Sequence, residues 1–502
     1  MGNYWLPYGL IFVQDYRMRQ TFEVQLALGA IPIEQVKIPT RTRDELPPTL
    51  AALQWIFKTP EVSREVFKLL ENALLGANNS KGRPGMDLWQ ILVLGVVRLT
   101  LDVNYDRLHH VANYDSLVRQ LLGQAAFDMA LEFKLSTLKD NVPLLSEELL
   151  EAINAVIVRH GGGCIKKKDA TLAIKVDSYV FESNVHFPTD LNLALDCARK
   201  CIVLSTRFSQ AYTLSGWRKH TNWQRKIKGF ARICARACRG GGTNKAARIE
   251  TTAKAYLQSL YGLEEKVLAT LEQLRVLVSS PMLLIQLSEL GGYHDLLIKH
   301  IMLIGGRLIE GRTIAAGEKL YSIFEQHTEW VQKGKARPNV ELGHRLLIAT
   351  DQYGMIHDYK IMQGGDESAE VAPLADRLID KLGLDKIASL SFDRGFSSIA
   401  NRELLEACMP DTEVVMPKKG KLSAADKERQ SQKRWRTLAN QHSAVESNIN
   451  SLEHHGLDRC PDKGYQAYAR YAGLGILAYN LHRIGNYFID AQRRADRLRS
   501  AA

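Results

Sequence analysis

Cysteine is scarce in this chain of 502 residues: seven, at positions 164, 197, 201, 234, 238, 408 and 460. An odd, sparse set argues against a disulfide framework and for reduced thiols. Long apolar runs are missing as well. Residues 10–13 and 26–33 are far too short to span a bilayer and lack the basic flank and cleavage site of a secretory signal, so a cytoplasmic protein with no membrane partner is expected. Internal repeats and low-complexity tracts are absent, and 45% hydrophobic with 24% charged residues is ordinary globular composition. Carboxylates fall short of cations, 55 Asp and Glu against 66 Lys and Arg, and the net charge of +11 points to a polyanionic partner, nucleic acid before others. Two cysteine pairs, Cys197 with Cys201 and Cys234 with Cys238, are each spaced one helical turn apart. Facing helices would offer four thiolates to zinc, although small buried cysteines are the commoner use of such spacing.

The length calls for two or three domains. Residues 1–59 mix proline, tyrosine and short apolar runs and read as an N-terminal extension or arm, with Met18 an alternative start. Residues 60–135 turn helical: Val62, Val66, Leu69, Leu70 and Leu74 share one helix face, a basic turn follows at 80–87, and further helices are expected over 88–99, 105–111 and 116–122. Short helices with basic flanks suit a helix-turn-helix-like DNA-binding module or a dimerisation bundle. Residues 136–190 supply a linker helix and a first strand at 173–187, and 191–318 read as a helical insert. The remainder, 319–502, alternates: strands at 319–331, 345–350 and 355–362, a helix at 367–382, a strand at 387–392, a helix at 399–408, a strand at 413–416, and a helix at 442–452. That order makes an α/β domain with a mixed sheet.

Asp393 ends the apolar run 387–392 and is followed by Arg394-Gly395-Phe396, which places an acid at the rim of a sheet. Asp177 lies in a second strand, and Glu446 on a later helix. Three carboxylates from three elements suit two divalent metal ions in phosphodiester chemistry. Each acid alone has a plain explanation as turn, cap or solvated residue. Asp351 also ends a strand and competes for the second position, although hairpin turns recruit Asp for backbone reasons. Asp190 and Glu182 flank the exit of the first strand and are candidates for supporting roles.

These residues also carry a likeness. Val176-Asp-Ser, Glu182-Ser-Asn-Val-His-Phe-Pro-Thr-Asp190, Lys333-Gly-Lys335, Glu341-Leu-Gly-His344, Ser391-Phe-Asp-Arg-Gly-Phe-Ser397, His442-Ser-Ala-Val-Glu446 and Glu453-His-His-Gly-Leu-Asp-Arg459, in that order, resemble the DDE transposases of bacterial insertion sequences, nearest the group labelled ISNCY. The likeness runs from Met18 to about Gly485. It implies an RNase H-like catalytic domain with a large helical insert after the first strand, plus an all-α N-terminal DNA-binding or dimerisation domain. It further implies Asp177, Asp393 and Glu446 as the catalytic and metal-binding triad, two Mg²⁺ or Mn²⁺ ions as cofactor, and a dimer or larger assembly on DNA. The activity implied is cleavage at element ends and transfer of the freed 3′-hydroxyl into target DNA. Related families carry Arg four residues before the glutamate and Lys seven residues after it; this chain has His442 and Glu453 there.

DNA contacts are expected where basic residues interleave with aromatics. Arg218, Lys219, Arg225, Lys226, Lys228 and Arg232 form the densest such run, inside the helical insert. Lys418, Lys419, Lys421, Arg434 and Arg436 form a second beside the Glu446 helix, and Lys333, Lys335 and His442 complete the expected set. Trp217, Trp223 and Trp435 are the candidates for stacking on a displaced base. Two competing readings are a DNA-binding relic that no longer cuts and a nuclease that cuts without joining.

Overall fold

The computed structural model describes residues 22, 29–75, 85–126, 132–165, 171–332, 339–418 and 420–501. Met18, the first part of the expected arm, most of the basic turn after residue 79, and Lys333, Lys335 and Lys419 lie outside them. The chain forms two units, Met1–Ser183 with His344–Ala502, and Asn184–Gly343.

The larger unit opens with helices. Helix α1 (Leu46–Lys58) begins on Pro47 and Pro48, which suit a first turn whose N–H groups have no helical partner, and Asp44 Oδ1 accepts from Leu46 N–H at 2.9 Å. Helix α2 (Pro60–Leu74) buries Val62, Val66 and Leu70, a one-face spacing in which each side chain contributes roughly 1.5–3 kcal/mol of transfer free energy. Helix α3 (Leu88–Thr100), capped by Asp87 accepting from Gln90 N–H, buries every residue but Gln90. Helices α4 (Tyr105–Tyr114), α5 (Ser116–Leu121) and α6 (Leu135–Asn141) follow, then α7 (Glu147–Ile165) and strand β1 (Leu172–Ser183). Among the described residues no single helix is long and apolar enough to cross a membrane; the bent pair α3–α4 reaches that composition, and α3 is a core helix.

The smaller unit is a helical bundle. Its helices α8 (Asp190–Tyr212), α9 (His220–Arg239), α10 (Lys245–Leu277) and α11 (Pro281–Leu308) pack around Cys197, Cys201, Trp217, Ile227, Tyr256 and Leu263. Strand β2 (Glu329–Gln332) ends the unit, pairing antiparallel with residues 340–343. The strand expected over 319–331 is confined to those last residues. Ser322 Oγ accepts from Phe324 N–H and Glu325 N–H, and this local turn competes with any ladder.

Strand β3 (Val340–Thr350) continues into the larger unit, where β4 (Ile356–Ile361) returns antiparallel to it. Asp351 makes the hairpin between them: its Oδ1 accepts from Tyr353 N–H and Met355 N–H, and its Oδ2 meets His357 Nε2 at 2.9 Å. One oxygen thus closes the turn and the other meets β4, the backbone use that hairpins make of Asp. Helix α12 (Val371–Leu382), strand β5 (Ile387–Phe392), helix α13 (Ile399–Cys408), strand β6 (Glu413–Val415) and helices α14 (Ala424–Ser431), α15 (Lys433–His442) and α16 (Ala444–Leu452) follow. Strand β7 (Arg459–Cys460) and the long α17 (Tyr465–Ala501) end the chain. The strands make a mixed seven-stranded sheet in which β3 lies beside β1, β1 runs parallel to β5, and β5 parallel to β6.

One face of this sheet packs Ile174, Val176, Leu390 and Phe392 against α12 and α13. The other packs Tyr179, Phe181, Leu346 and Ile348 into a core built from α1, α2, α3, α7 and α17. The described helices within 60–135 therefore share a core with the sheet, and α1, expected within an extension, belongs to it. As a fully buried helix α3 has no free face for a DNA groove. The backbones of α1 and α17 meet where a Cβ on Gly485 would overlap the carbonyl oxygen of Pro48. Gly485→Ala is therefore expected to lower unfolding free energy by about 3 kcal/mol or more, read from urea melts; a loss below about 0.5 kcal/mol would contradict this packing.

Candidate functional site

Register places the two strand acids. Val176 on β1 is paired with Phe392 on β5, and the next residues along these parallel strands are Asp177 and Asp393. Val176 and Phe392 face the α12 side, so side-chain alternation turns Asp177 and Asp393 to the opposite face. Helix α16 packs against β1 and carries Glu446 there. Asp393 and Glu446 are exposed, whereas Asp177 is half-buried. Burial pushes the Asp177 carboxyl up to about 7; its bond from Ser178 N–H opposes this, and the negative charges of Asp393, Glu367 and Glu446 add to it. Four carboxylates thus share one electrostatic neighbourhood.

Glu367 is the member that sequence reading missed. It lies in a 3₁₀ turn, Glu367–Glu370, just before α12. Its Oε1 accepts from Ser178 Oγ at 2.6 Å, and Arg345 Nε stands 3.9 Å away. The Glu367 carboxylate lies where a Cβ on Gly395 would stand, so a side chain there would have to displace it. Asn401 Nδ2 donates both to Ser368 O (2.7 Å) and to Phe396 O (3.0 Å), tying the Glu367 turn to the Asp393 loop. The only sequence signal was the turn-forming stretch Gly364-Gly365-Asp366 ahead of it, and an acid opening a helix is ordinarily explained by the helix dipole.

His442 closes α15 one helical turn before Glu446. Its Nδ1 is 3.0 Å from Ser391 Oγ, which is also within hydrogen-bond distance of Ile174 O at 3.3 Å. Nε2 is buried without a hydrogen-bond partner. Burial holds the ring's pKa down, against the pull of Asp393 and Glu446, with Lys175 reinforcing the depression.

Among the described residues no three His, Cys, Asp or Glu side chains stand in a metal-holding arrangement, neither at these acids nor at the cysteine pairs. In chemistry and charge the acidic site does fit divalent ions. Its donors are hard carboxylate oxygens, they repel one another around a half-buried member, and an unpartnered imidazole nitrogen lies beside them. The cysteine pairs do not fit zinc. Cys197, Cys201 and Cys234 are core residues, and burial raises all three thiols, Cys201 to about 12 and Cys234 to about 11, which keeps them protonated.

The basic residues divide sharply. On α9 the buried face is Ile227, Ala231, Cys234 and Ala237, and Arg225, Lys226, Lys228 and Arg232 are exposed, with Arg218 and Lys219 exposed just ahead of the helix. Residues 197–249 contain no Asp or Glu, and among the described residues none of these six cations has a carboxylate partner. The second run is mostly spent. Lys418 Nζ binds Asp426 Oδ2 at 2.8 Å, Arg434 Nε binds Glu413 Oε2 at 3.1 Å, and Arg436 Nε donates to Gln430 O, leaving Lys421 exposed. Asp190 pairs with Arg307, and Glu182 with Arg459.

Base stacking by Trp217 and Trp435 is ruled out by burial: they are 2% and 8% exposed. Trp217 Nε1 donates to Thr270 Oγ1 at 3.0 Å, within the bundle core. Trp223 is half-buried and packs over Gly262. A large flat ring fills a helix interface better than any other side chain, and that use has claimed them. Comparison of the chain with protein-family models, curated proteins and solved structures finds no match.

Proposed function

We propose that this chain is a DDE-type transposase, a metal-dependent enzyme that cuts DNA at the ends of an insertion sequence and joins the freed 3′-hydroxyl to target DNA. The observation that carries the reading is the register of β1 and β5, which sets Asp177 beside Asp393 on the face that α16 covers with Glu446. An antiparallel hairpin on one side of β1 and two parallel strands on the other, with acids at the centre, supports an RNase H-like domain.

Asp177, Asp393 and Glu446 would hold two Mg²⁺ or Mn²⁺ ions, with Glu367 supplying a fourth negative charge to balance two dications. Bound there, the ions would supply activation of water and of the 3′-hydroxyl, and neutralise charge on the phosphodiester. Ser178 and the Asn401 bridge would hold the Glu367 turn beside the Asp393 loop and keep the acids in place before DNA arrives. His442, one helical turn before Glu446 and bonded to Ser391, would orient the helix end that carries that carboxylate. The carboxylate-free face of α9 would track phosphates. Cutting paired ends calls for a dimer or larger assembly on DNA.

The test is a cleavage and strand-joining assay on labelled DNA carrying the sequences that flank this gene, with Mg²⁺, with Mn²⁺ and with chelator. Metal-dependent nicking at the boundary followed by joined product is expected. Cutting without joining would make it a nuclease, and tight binding with no cut under either metal would make it a DNA-binding relic.

A further inference from the structure

We infer that the larger unit carries a second anion-binding groove, formed by Thr40–Arg43 and the last turns of α17, and that its ligand is the phosphodiester backbone of duplex DNA. The groove has a volume of about 460 Å³ and is lined by Arg41, Arg43, Arg493 and Arg497, with Asp496 its single carboxylate. Four guanidinium groups line one space, faced by Asp496, while Asp490 takes up part of the Arg493 charge. Among the described residues Arg41, Arg43 and Arg497 have no carboxylate partner.

The walls are held rather than loose. Arg493 Nε donates to the carbonyl of Thr40, and Arg493 also pairs with Asp490 at 3.2 Å. Thr42 Oγ1 accepts from Asp44 N–H at 2.9 Å, which leaves the threonine's own proton free to donate outward, and Asp44 in turn caps the start of α1. Because α1 packs along α17, the segment that carries Arg41 and Arg43 is fixed against the helix that carries Arg493 and Arg497. The helix dipole accounts for arginines in the last turns of α17. It does not account for Arg41 and Arg43, which come from a separate segment and point their charge at the same space. Planar forks converging on one groove, with a hydroxyl donor beside them, match phosphate oxygens. Contacts to phosphate oxygens carry no sequence information, so a duplex of arbitrary sequence serves as the probe.

The choice of DNA over another polyanion rests on the function proposed above. The test compares the full chain with the triple variant Arg41→Ala, Arg43→Ala, Arg497→Ala, which leaves Arg493 and its bond to Thr40 intact. A control triple of equal charge change, Lys58→Ala, Arg64→Ala, Lys68→Ala, removes cations from α1 and α2. Binding to a labelled duplex of arbitrary sequence is followed by anisotropy across a salt series without metal, and melting checks the fold. The groove triple should weaken binding about tenfold or more near 0.1 M salt and lower the slope of log affinity against log salt by roughly 2 to 3, with the control near wild type. Wild-type behaviour of the groove triple, or an equal loss in the control, would overturn the groove and leave the enzyme reading standing. Failure of the wild-type chain to bind any duplex would overturn both. Loss of binding to anionic vesicles with DNA binding unchanged would reassign the groove to lipid. Should the triple melt early, Arg41→Gln with Arg43→Gln leaves α17 untouched and carries the same expectation at smaller size.

Discussion

Asp393→Asn is expected to reduce metal-dependent strand cutting roughly 10³-fold or more, the scale of losing a preorganised charge at a reacting centre. Duplex binding without metal should stay within a few fold of wild type, because the exposed cations lie on other elements. The substitution is close to isosteric, and Asp393 is exposed at the end of β5, so little packing changes. It also removes one of the charges that crowd half-buried Asp177, so the melting temperature in chelator should hold or rise. Glu367→Gln is the companion measurement. Its amide oxygen still accepts from Ser178, but its charge is gone, and Mn²⁺ affinity read by electron paramagnetic resonance should fall about 10- to 100-fold. An Asp393→Asn protein that still cuts at the wild-type rate would remove the acidic cluster from the mechanism.

Replacing Arg225, Lys226, Lys228 and Arg232 together by alanine should weaken duplex binding roughly 100-fold near 0.1 M salt and lower the salt slope by about 3. These four cations are exposed on α9, and their helix sits on an apolar face that the substitutions leave alone. Alanine is the best helix former, so α9 should persist by circular dichroism. The mechanism is electrostatic: each phosphate neutralised releases condensed counterions, so the loss should appear as a shallower slope and be largest at low salt. An unchanged slope would show that α9 faces solvent in the complex and that its charge serves some other end.

The acids at the centre were legible because the signal is local. An apolar run that stops on Asp393 and turns at Gly395 declares a strand end, and Val176-Asp177-Ser178 sits in a β-rich stretch of its own. Periodicity likewise identified α2, whereas the stretch that becomes α9 was marked only by its run of basic residues. Residues 319–328 misled because aromatic and apolar side chains mimic a strand, whereas the Ser322 turn claims their backbone. Glu367 was invisible because its importance lies in Ser178 and Gly395, distant in sequence and close only once β1, β5 and α12 are packed.

By itself the sequence determined most helical and extended segments outside 319–328 and α1, the excess of positive charge, the carboxylate-free run that becomes α9, and the acids that end or interrupt strands, since each depends on neighbours within a few turns of chain. Tertiary structure alone decided that α1 and α3 are core helices, that Trp217 and Trp435 are buried, and that Lys418 and Arg434 spend their charge on Asp426 and Glu413. It also brought Arg41 and Arg43 beside Arg493 and Arg497. Those outcomes depend on which distant surface covers a side chain, and burial or ion pairing between remote residues leaves no periodic mark in the chain.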